Sequence, residues 1–525
     1  MKDMPKRGFS GPGLCRLEAH EVVALLRAGD LDAAELLEAS RRRVDAVDAA
    51  VNAMPMRCFD RAARQLAAWR GGDGDADANA NANTDAGTNN TGNDANAGAG
   101  VRTNANTNAN TDIAPGERDA PGWLGGLPIG IKDLNNVAGV PTTFGTYGLR
   151  AHVPARSEPL VELLESRGAL IVGKTNTPEF GAGGNTFNAV YGATRNPWHT
   201  ARNAGGSSGG AAASLATGQV WLSHGSDLAG SLRTPAAYCG VVGLRPSPGR
   251  AGGGPADLLF NIDGVQGPMA RSVTDCALFL DAMAGFDRRA PISLPRPRES
   301  FQEAVARATP KLRIAYSPTL DGFAPVEASI ERVLRAALTR LEAEGARVEE
   351  ACPKLPDLDQ TYRVLRAMLW AAGPGKAPAS VQRHYKSTLR DNIEFGRALD
   401  IDEVYRMQRA RSRLYEHAQT FLRDYDVLAC PTVGLPPGPV EEEFPTVINN
   451  SPLSDYIEWL RFSFLATAAG LPALSLPAGF DQHGMPVGLQ LIGQPRGEAG
   501  LLAAARAVEI TLGGPLPPID PWTPA

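Results

Sequence analysis

Two serines stand between two glycine pairs in ARNAGGSSGGAAASLATG, residues 201–218. Such a stretch is compatible with a flexible linker, a phosphate-binding loop or the active site of a nucleophile. A phosphate-binding P-loop needs a lysine directly after its last glycine, and none follows here. A linker joins unrelated segments, whereas this stretch lies between YGATRNPW and a helix of small residues. The two serines are therefore candidates for covalent chemistry.

The pattern Gly205-x-Ser207-x-Gly209 formally matches G-x-S-x-G, the nucleophile elbow of α/β-hydrolases. Its base would be one of the later histidines, His384, His417 or His483. An elbow follows a β-strand, but the preceding residues, NPWHTARNA, are polar and typical of turns. The sequence predicts no strand before Ser207 and disfavours this type of site.

A third serine and a lysine offer a different arrangement. Ser231 lies in a glycine-containing turn of SHGSDLAGSLRTPAAYCG, and Lys132 lies upstream in GGLPIGIKDLNN. Strand-like alternation in LPIGIKDL puts Gly130 and Lys132 on one face, so the glycine leaves room beside the lysine amine. A lysine acts as a base only when it is neutral, and burial lowers the pKa of an ammonium group. We therefore predict that Lys132 is buried.

These residues belong to long motifs that follow one another in the chain: GLPIGIKDL, GALIVGKTNTPEF, YGATRNPW, GGSSGG, SDLAGSLRTPAAYCGVVGLRP and AGLPALSLPAGF…GMPVGLQLIG. Through them the chain resembles the amidase signature family, whose serine hydrolases use a Ser-Ser-Lys triad. The resemblance implies a single large α/β domain with a central, mixed and twisted β-sheet covered by helices on both faces. It also implies hydrolysis of a carboxamide or related acyl bond in a small-molecule substrate, with no metal and no organic cofactor.

Carried over residue by residue, the resemblance makes Ser231 the nucleophile, Ser207 the bridging serine in a cis peptide bond, and Lys132 the general base. Neutral Lys132 takes a proton from Ser207, which takes one from Ser231. The implied oxyanion hole consists of backbone groups at Leu228, Ala229, Gly230 and Ser231. The residues expected to support the site are Ser208, Ser226, Asp227 and Arg233.

Ala229 departs from the family pattern, which has a glycine at this position. If the position requires a positive φ, alanine is penalised and the oxyanion hole is reshaped or narrowed. Besides a free-standing amidase, two functions therefore stay open. One is the amidase subunit of a glutamyl-tRNA(Gln) amidotransferase, and the other is a catalytically impaired binding protein.

Other reactive residue types have simpler interpretations. His224 could form a Ser-His-Asp triad with Asp227, but a histidine that ends a strand such as VWLSH is more typical of the core or a turn. Cys239 lies among small apolar residues in AAYCGVVGL, which indicates packing. The six cysteines form no CxxC pair and no zinc spacing, so a reduced compartment is expected.

Composition excludes several classes of partner. The chain has 525 residues, 43% of them hydrophobic and 21% charged, with a net charge of −5 and no basic stripe. Neither nucleic acid nor an anionic membrane is favoured as a partner. The basic run Arg41–Arg43 is interpreted as a solvated helix face. With no apolar signal region and no membrane span, we expect a cytoplasmic protein, and a homodimer stays open.

The elements that must position the site follow from periodicity. In the N-terminal segment 1–70, residues 17–54 predict two amphipathic helices, broken at Gly29-Asp30. Residues 71–122 are a low-complexity insertion expected to be disordered. Residues 123–525 alternate apolar runs with helical segments, the texture of an α/β core with a buried sheet. Within this core, about 300–425 is mostly helical and resembles a cap, and strands return near Val427.

Overall fold

An eleven-stranded mixed β-sheet organises the computed structural model, which describes residues 7–71, 117–252 and 258–524. In order across the sheet, the strands are β1 (Met56–Arg57), β3 (Leu170–Thr175), β2 (Pro128–Lys132), β8 (Leu222–Asp227), β10 (Val265–Ala270), β9 (Val242–Arg245), β16 (Ala473–Phe480), β17 (Pro486–Ile492), β13 (Val427–Pro431), β11 (Arg313–Tyr316) and β12 (Arg347–Glu350). Strand β2 is parallel to β3 and β8, and β11 is parallel to β12 and β13. The remaining neighbours are antiparallel.

Helices cover both faces of this sheet, which confirms the expected α/β class. In chain order they are α1 (Ala19–Ala28), α2 (Ala33–Val51), α3 (Phe59–Gly71), α4 (Pro159–Ser166), α5 (Gly209–Ala216), α6 (Arg233–Cys239), α7 (Val273–Met283), α8 (Phe301–Ala306), α9 (Ala328–Ala343), α10 (Leu358–Ala372), α11 (Ala379–Gln382), α12 (Ser387–Ala398), α13 (Ile401–Phe421), α14 (Phe464–Ala468) and α15 (Glu498–Leu512). Within the described ranges, three two-stranded ribbons lie outside the large sheet: β4 (Phe187–Asn188) with β5 (Gly192–Ala193), β6 (Arg195–Asn196) with β7 (His199–Asn203), and β14 (Val447–Ile448) with β15 (Ser451–Pro452).

The strongest sequence patterns form the expected elements. The apolar runs GLPIGI, GALIVGK, VWLSHGS and YDVLACPTVG overlap β2, β3, β8 and β13, and none of these strands extends more than one residue beyond its run. All residues of β2, β3 and β13 are buried, because these strands are covered on both faces. Helices α1 and α2 separate at Gly29, which ends α1 with a φ of 80° that glycine adopts freely.

The interpretation of Arg41–Arg43 as a solvated face is wrong for Arg43, which is fully buried. Its guanidinium donates hydrogen bonds to the carbonyls of Thr217 and Ile519 and pairs with Asp520 at 2.8 Å. Arg43 lies on the same side of α2 as the buried Leu36, at a helical spacing of seven residues, so it faces the core and the C-terminal segment.

The block 300–425 is mostly helical, as expected, but it also contains β11 and β12. The two strands add the last positions at one edge of the sheet, so this block is part of the central layer as well as a cover. β12 is largely exposed and polar, so its sequence, RVEE, lacks the apolar alternation that would predict a strand.

Most of the expected insertion, residues 72–116, lies outside the described part of the chain. Its last residues, 117–122, form turns, and the carbonyl of Arg118 accepts a hydrogen bond from Arg27 at 2.7 Å. Among the helices of the described residues, none combines the length and the apolar composition needed to cross a bilayer.

Candidate functional site

Lys132 ends β2, the strand that lies between β3 and β8, and its side chain is fully buried, as predicted. Gly130, on the same strand, lets the neighbouring strands pack closely around this buried lysine. A Cβ at Gly130 would lie 2.8 Å from Cγ2 of Thr175 and 2.9 Å from Oγ of Ser223. A side chain there would therefore push apart the strands that enclose the lysine.

The amine of Lys132 is surrounded by serine oxygens. Its Nζ lies 2.7 Å from Oγ of Ser207, 2.9 Å from Oγ of Ser208 and 3.1 Å from Oγ of Ser226. None of the described carboxylates forms an ion pair with it. Burial lowers the pKa of Lys132 to about 7, although the negative charge of Asp227 opposes the shift. The amine is therefore able to gain and lose a proton near neutral pH.

The two serines beside the amine lie in a tightly packed loop that leads into α5. The peptide bond between Gly206 and Ser207 is cis. A Cβ at Gly206 would come within 2.9 Å of the backbone of Asn185, and a Cβ at Gly210 would lie 2.3 Å from the backbone nitrogen of Asn176. Both glycines are thus required by the neighbouring backbone against which the loop packs.

A strand does precede Ser207, contrary to the expectation from NPWHTARNA. It is β7, which pairs with β6 in a ribbon outside the large sheet and forms one isolated bridge, between Arg202 and Pro439. The three histidines considered as partners bond elsewhere: His384 to Arg383, His417 to Lys354 and His483 to Gln482. Within the described part of the chain, Ser207 has a lysine beside it rather than a histidine.

Ser231 lies in the turn between β8 and α6. The carboxylate of Asp227 accepts hydrogen bonds from the backbone N–H of Gly230 at 3.0 Å and of Leu232 at 3.1 Å. Gly230 has a φ of 85°, a conformation that favours glycine. Asp227 and Gly230 together fold the turn back on itself.

Ala229 does not carry the penalty that the sequence suggested. Gly230 is the residue of this turn that has a positive φ, whereas the φ of Ala229 is not positive. The alanine therefore follows the turn without backbone strain. This removes the reason for expecting a distorted oxyanion hole, and with it the argument for a catalytically impaired protein.

Behind the turn, Asp227 is fully buried between two arginines. It pairs with Arg233 at 2.8 Å and lies 3.6 Å from Arg245. Burial alone would raise the pKa of Asp227, but the charge and hydrogen bonds of Arg233, together with Arg245, hold it well below its usual range. The carboxylate stays ionised and keeps its bonds to the turn at any physiological pH.

Ser231 approaches the lysine cluster through the backbone: its carbonyl accepts the N–H of Ser208 at 3.1 Å. The residue is 5% exposed, and Ser226 and Leu228, earlier in the same segment, are only half-buried, so solvent reaches part of this segment. In the part of the chain that the structure covers, the N–H groups of Leu228, Ala229 and Ser231 have no hydrogen-bond partner. These free donors are available to a ligand.

His224 and Cys239 lie in the core. Nε2 of His224 is 2.6 Å from Oε1 of Gln266, and burial lowers the pKa of this histidine to about 3. Cys239 is fully buried, and burial raises the pKa of its thiol. Neither residue has a hydrogen bond to Ser231, so the structure does not assemble a Ser-His-Asp triad here.

Among the residues that the structure describes, one group of side chains has atoms spaced for a metal ion: Glu18, His20 and Asp275, whose potential ligand atoms lie within 4.8 Å of one another. Both oxygens of Asp275 already accept backbone N–H groups at the start of α1, from Ala19 and His20. This group therefore serves as a helix cap, away from the serines.

Two residues contact the turn of Ser231 in a way that the sequence does not predict. Thr467 of α14 and Tyr362 of α10 both donate a hydrogen bond to the carbonyl of Leu228, at 2.8 Å and 3.4 Å. In the sequence Tyr362 is one aromatic among several in a helical block, and Thr467 belongs to no recognisable motif. Only the tertiary structure brings these two residues to the turn.

Comparison with known proteins shows which family and which fold this chain is similar to. A family model described as Amidase matches residues 94–502. The chain is 36% identical to an acylamidase of Rhodococcus erythropolis, over 75% of this chain and 82% of that protein. It is 33% identical to a glutamyl-tRNA(Gln) amidotransferase subunit of Anaeromyxobacter dehalogenans, over 96% and 98%. A bacterial aryl acylamidase of the amidase signature family has a similar structure, with a TM-score of 0.79, 25% identity and coverage of 95% and 99%.

Proposed function

The chain belongs to the amidase family, hydrolases of amide C–N bonds, and we propose that Ser231 is its nucleophile, Ser207 its proton relay and Lys132 its general base. The observation that carries this proposal is the buried amine of Lys132, 2.7 Å from Oγ of Ser207. An uncharged lysine is a base strong enough to activate a serine, and burial provides the uncharged form.

The oxygens around Lys132 support this role. A neutral amine has two N–H donors and one lone pair. Ser208 and Ser226 are positioned to accept the two N–H groups, at 2.9 Å and 3.1 Å. The lone pair is then left for the hydroxyl proton of Ser207, the nearest oxygen. Ser208 and Ser226 thereby orient the base.

The proposed reaction has two stages. Ser231 attacks the amide carbonyl while its proton passes to Ser207 and the proton of Ser207 passes to Lys132. The C–N bond then breaks, and the amine leaves with a proton returned along the same relay. Water, activated by the relay, attacks the ester on Ser231 and releases the carboxylic acid. Unpaired backbone N–H groups of the turn stabilise the oxyanion in both stages.

The rate should depend on pH through Lys132. Because the base must be neutral, kcat/KM is expected to rise about tenfold per pH unit up to the pKa of Lys132, about 7, and to level off above it. His224 does not produce this profile, since its pKa is lowered to about 3. Initial rates between pH 5 and 9, on protein shown to stay folded, measure it. A flat profile would exclude Lys132 as a titrating base.

Labelling with a fluorophosphonate probe tests the proposed nucleophile directly. We expect mass spectrometry to find the probe on Ser231 in the wild type, and to find it lost in Ser231→Ala and strongly reduced in Lys132→Ala. A probe on Ser207 would instead support the nucleophile-elbow arrangement. Well-folded protein that takes up no probe would contradict a serine hydrolase.

We propose a free-standing amidase that acts on small acyl amides, as the similarity to the acylamidases suggests. The six free thiols support a reducing, cytoplasmic setting. A second candidate is a component of a glutamyl-tRNA(Gln) amidotransferase, which the match to the Anaeromyxobacter protein over almost its whole length favours. Purified protein that hydrolyses 4-nitroacetanilide alone would support the amidase. Protein that releases ammonia only from glutamine, and only with the other components of such a complex, would support the second candidate.

A further inference from the structure

The carbonyl of Leu228 is held by two hydroxyl groups from distant parts of the chain. Oγ1 of Thr467 donates to it at 2.8 Å and the hydroxyl of Tyr362 at 3.4 Å. Both donors are almost completely buried, at 1% exposure each. A carbonyl oxygen has two lone pairs, and here hydroxyl groups from two separate helices bind both of them, which fixes the direction of this carbonyl.

The direction of this carbonyl sets the direction of the next N–H. The Leu228–Ala229 peptide bond is trans, so the carbonyl of Leu228 and the N–H of Ala229 lie in one plane and point in opposite directions. On its side, the N–H of Ala229 meets no acceptor among the described residues, although Ala229 is only 6% exposed. Unpaired, buried N–H groups are rare in proteins. This one is oriented for an acceptor that comes from outside.

The neighbouring N–H groups are not equivalent to it. The N–H of Gly230 is already bonded to Asp227 at 3.0 Å. Among the described residues the N–H of Ser231 is unpaired, and the carbonyl of Gly230, on the opposite side of that peptide, accepts the N–H of Thr234 at 2.6 Å. Ala229 and Ser231 therefore provide two N–H donors, and in each case a hydrogen bond to the carbonyl of the same peptide unit fixes its orientation. For Ser231 that bond comes from the backbone, and for Ala229 it comes from side chains.

We propose that Thr467 and Tyr362 are positioning residues that aim the N–H of Ala229 at the oxyanion. The inference rests on the proposed function, because it assumes that the oxyanion forms at Ser231. The ring of Tyr362 stacks on Phe464, with centroids 3.7 Å apart, and Phe464 begins the helix that carries Thr467. Packing thus fixes both hydroxyls, and removing one of them leaves the ring stack in place.

The test is kinetic, with Thr467→Val, Tyr362→Phe and the double variant. We expect kcat for 4-nitroacetanilide to fall about tenfold in Thr467→Val, less in Tyr362→Phe and about 100-fold in the double variant, with KM within about twofold, since loss of a whole oxyanion donor costs about 10²–10³. The second-order rate of fluorophosphonate labelling at Ser231 should fall in parallel, and it is measurable without a known substrate. Thr467→Ser, which restores the hydroxyl, should recover the rate.

Thr217→Val is the matched control, because Thr217 is also a buried threonine whose hydroxyl bonds a backbone carbonyl, that of Ala213. It should keep the rate of the wild type. Two results would overturn the inference: normal kcat and labelling in both single variants, or equal losses in Thr467→Ser and Thr467→Val. If Thr467→Val does not fold, Tyr362→Phe with the ring retained decides the question. An active wild type that never labels at Ser231 would instead refute the proposed function.

Discussion

Replacing Ser231 by alanine is expected to lower kcat for amide hydrolysis by about 10⁵-fold, because the covalent route is lost and only binding and the oxyanion donors remain. Ser231 is 5% exposed and its hydroxyl has no hydrogen bond within the described residues, so the change leaves no partner unsatisfied. The melting temperature should therefore stay within a few degrees of that of the wild type. Steady-state rates and thermal melts of the purified variant measure both.

Ser214→Ala is the control for this variant. Ser214 is fully buried in α5, and its hydroxyl bonds the carbonyl of Ala211 at 2.8 Å, within the helix. Its replacement should change kcat by less than about threefold. Residual activity above about 1% in Ser231→Ala, free of wild-type contamination, would show that another group attacks the amide.

Lys132→Met is expected to have the second largest effect, a loss of about 10³–10⁴-fold in kcat, since general-base catalysis contributes on this scale. Folding should not suffer. The pKa of Lys132 in the folded protein, about 7, is below the ordinary 10.5, so the buried amine destabilises the native state. That cost is greatest below pH 7 and disappears as the pH rises towards 10.5. At pH 6, the melting temperature of Lys132→Met should therefore be at least as high as that of the wild type.

Lys174→Met provides the contrast, because Lys174 is a buried lysine on the adjacent strand with a carboxylate partner, Asp133, at 2.9 Å. Its loss leaves a buried carboxylate unpaired, and we expect a clear drop in melting temperature while the folded fraction keeps most of its activity. A Lys132→Met enzyme with more than a tenth of the wild-type kcat would contradict the assigned base.

Site residues could be predicted from the sequence where a short local pattern reflects the packing that the site requires. The strand alternation around Lys132 and the glycines around Ser207 are local features, because each reflects close contact with neighbouring backbone. A few residues of sequence are therefore enough to recognise them. The burial of Arg43 is not legible in this way, because its partners, such as Asp520, lie almost the whole chain away. The contacts of Thr467 and Tyr362 with the turn could not be predicted for the same reason. They depend on how α10 and α14 pack in the tertiary structure, and no sequence motif indicates that packing.

The crowded glycines beside the serine loop also determine where this enzyme could be re-engineered. Gly206 and Gly210 abut backbone atoms that no rotamer change can move, so randomising either position should yield mostly inactive clones. The half-buried Phe180 and Leu228 instead pack against side chains of the helical cover, including Tyr385. Libraries aimed at new amides therefore belong on that cover, where diversity does not disturb the rigid framework around the lysine.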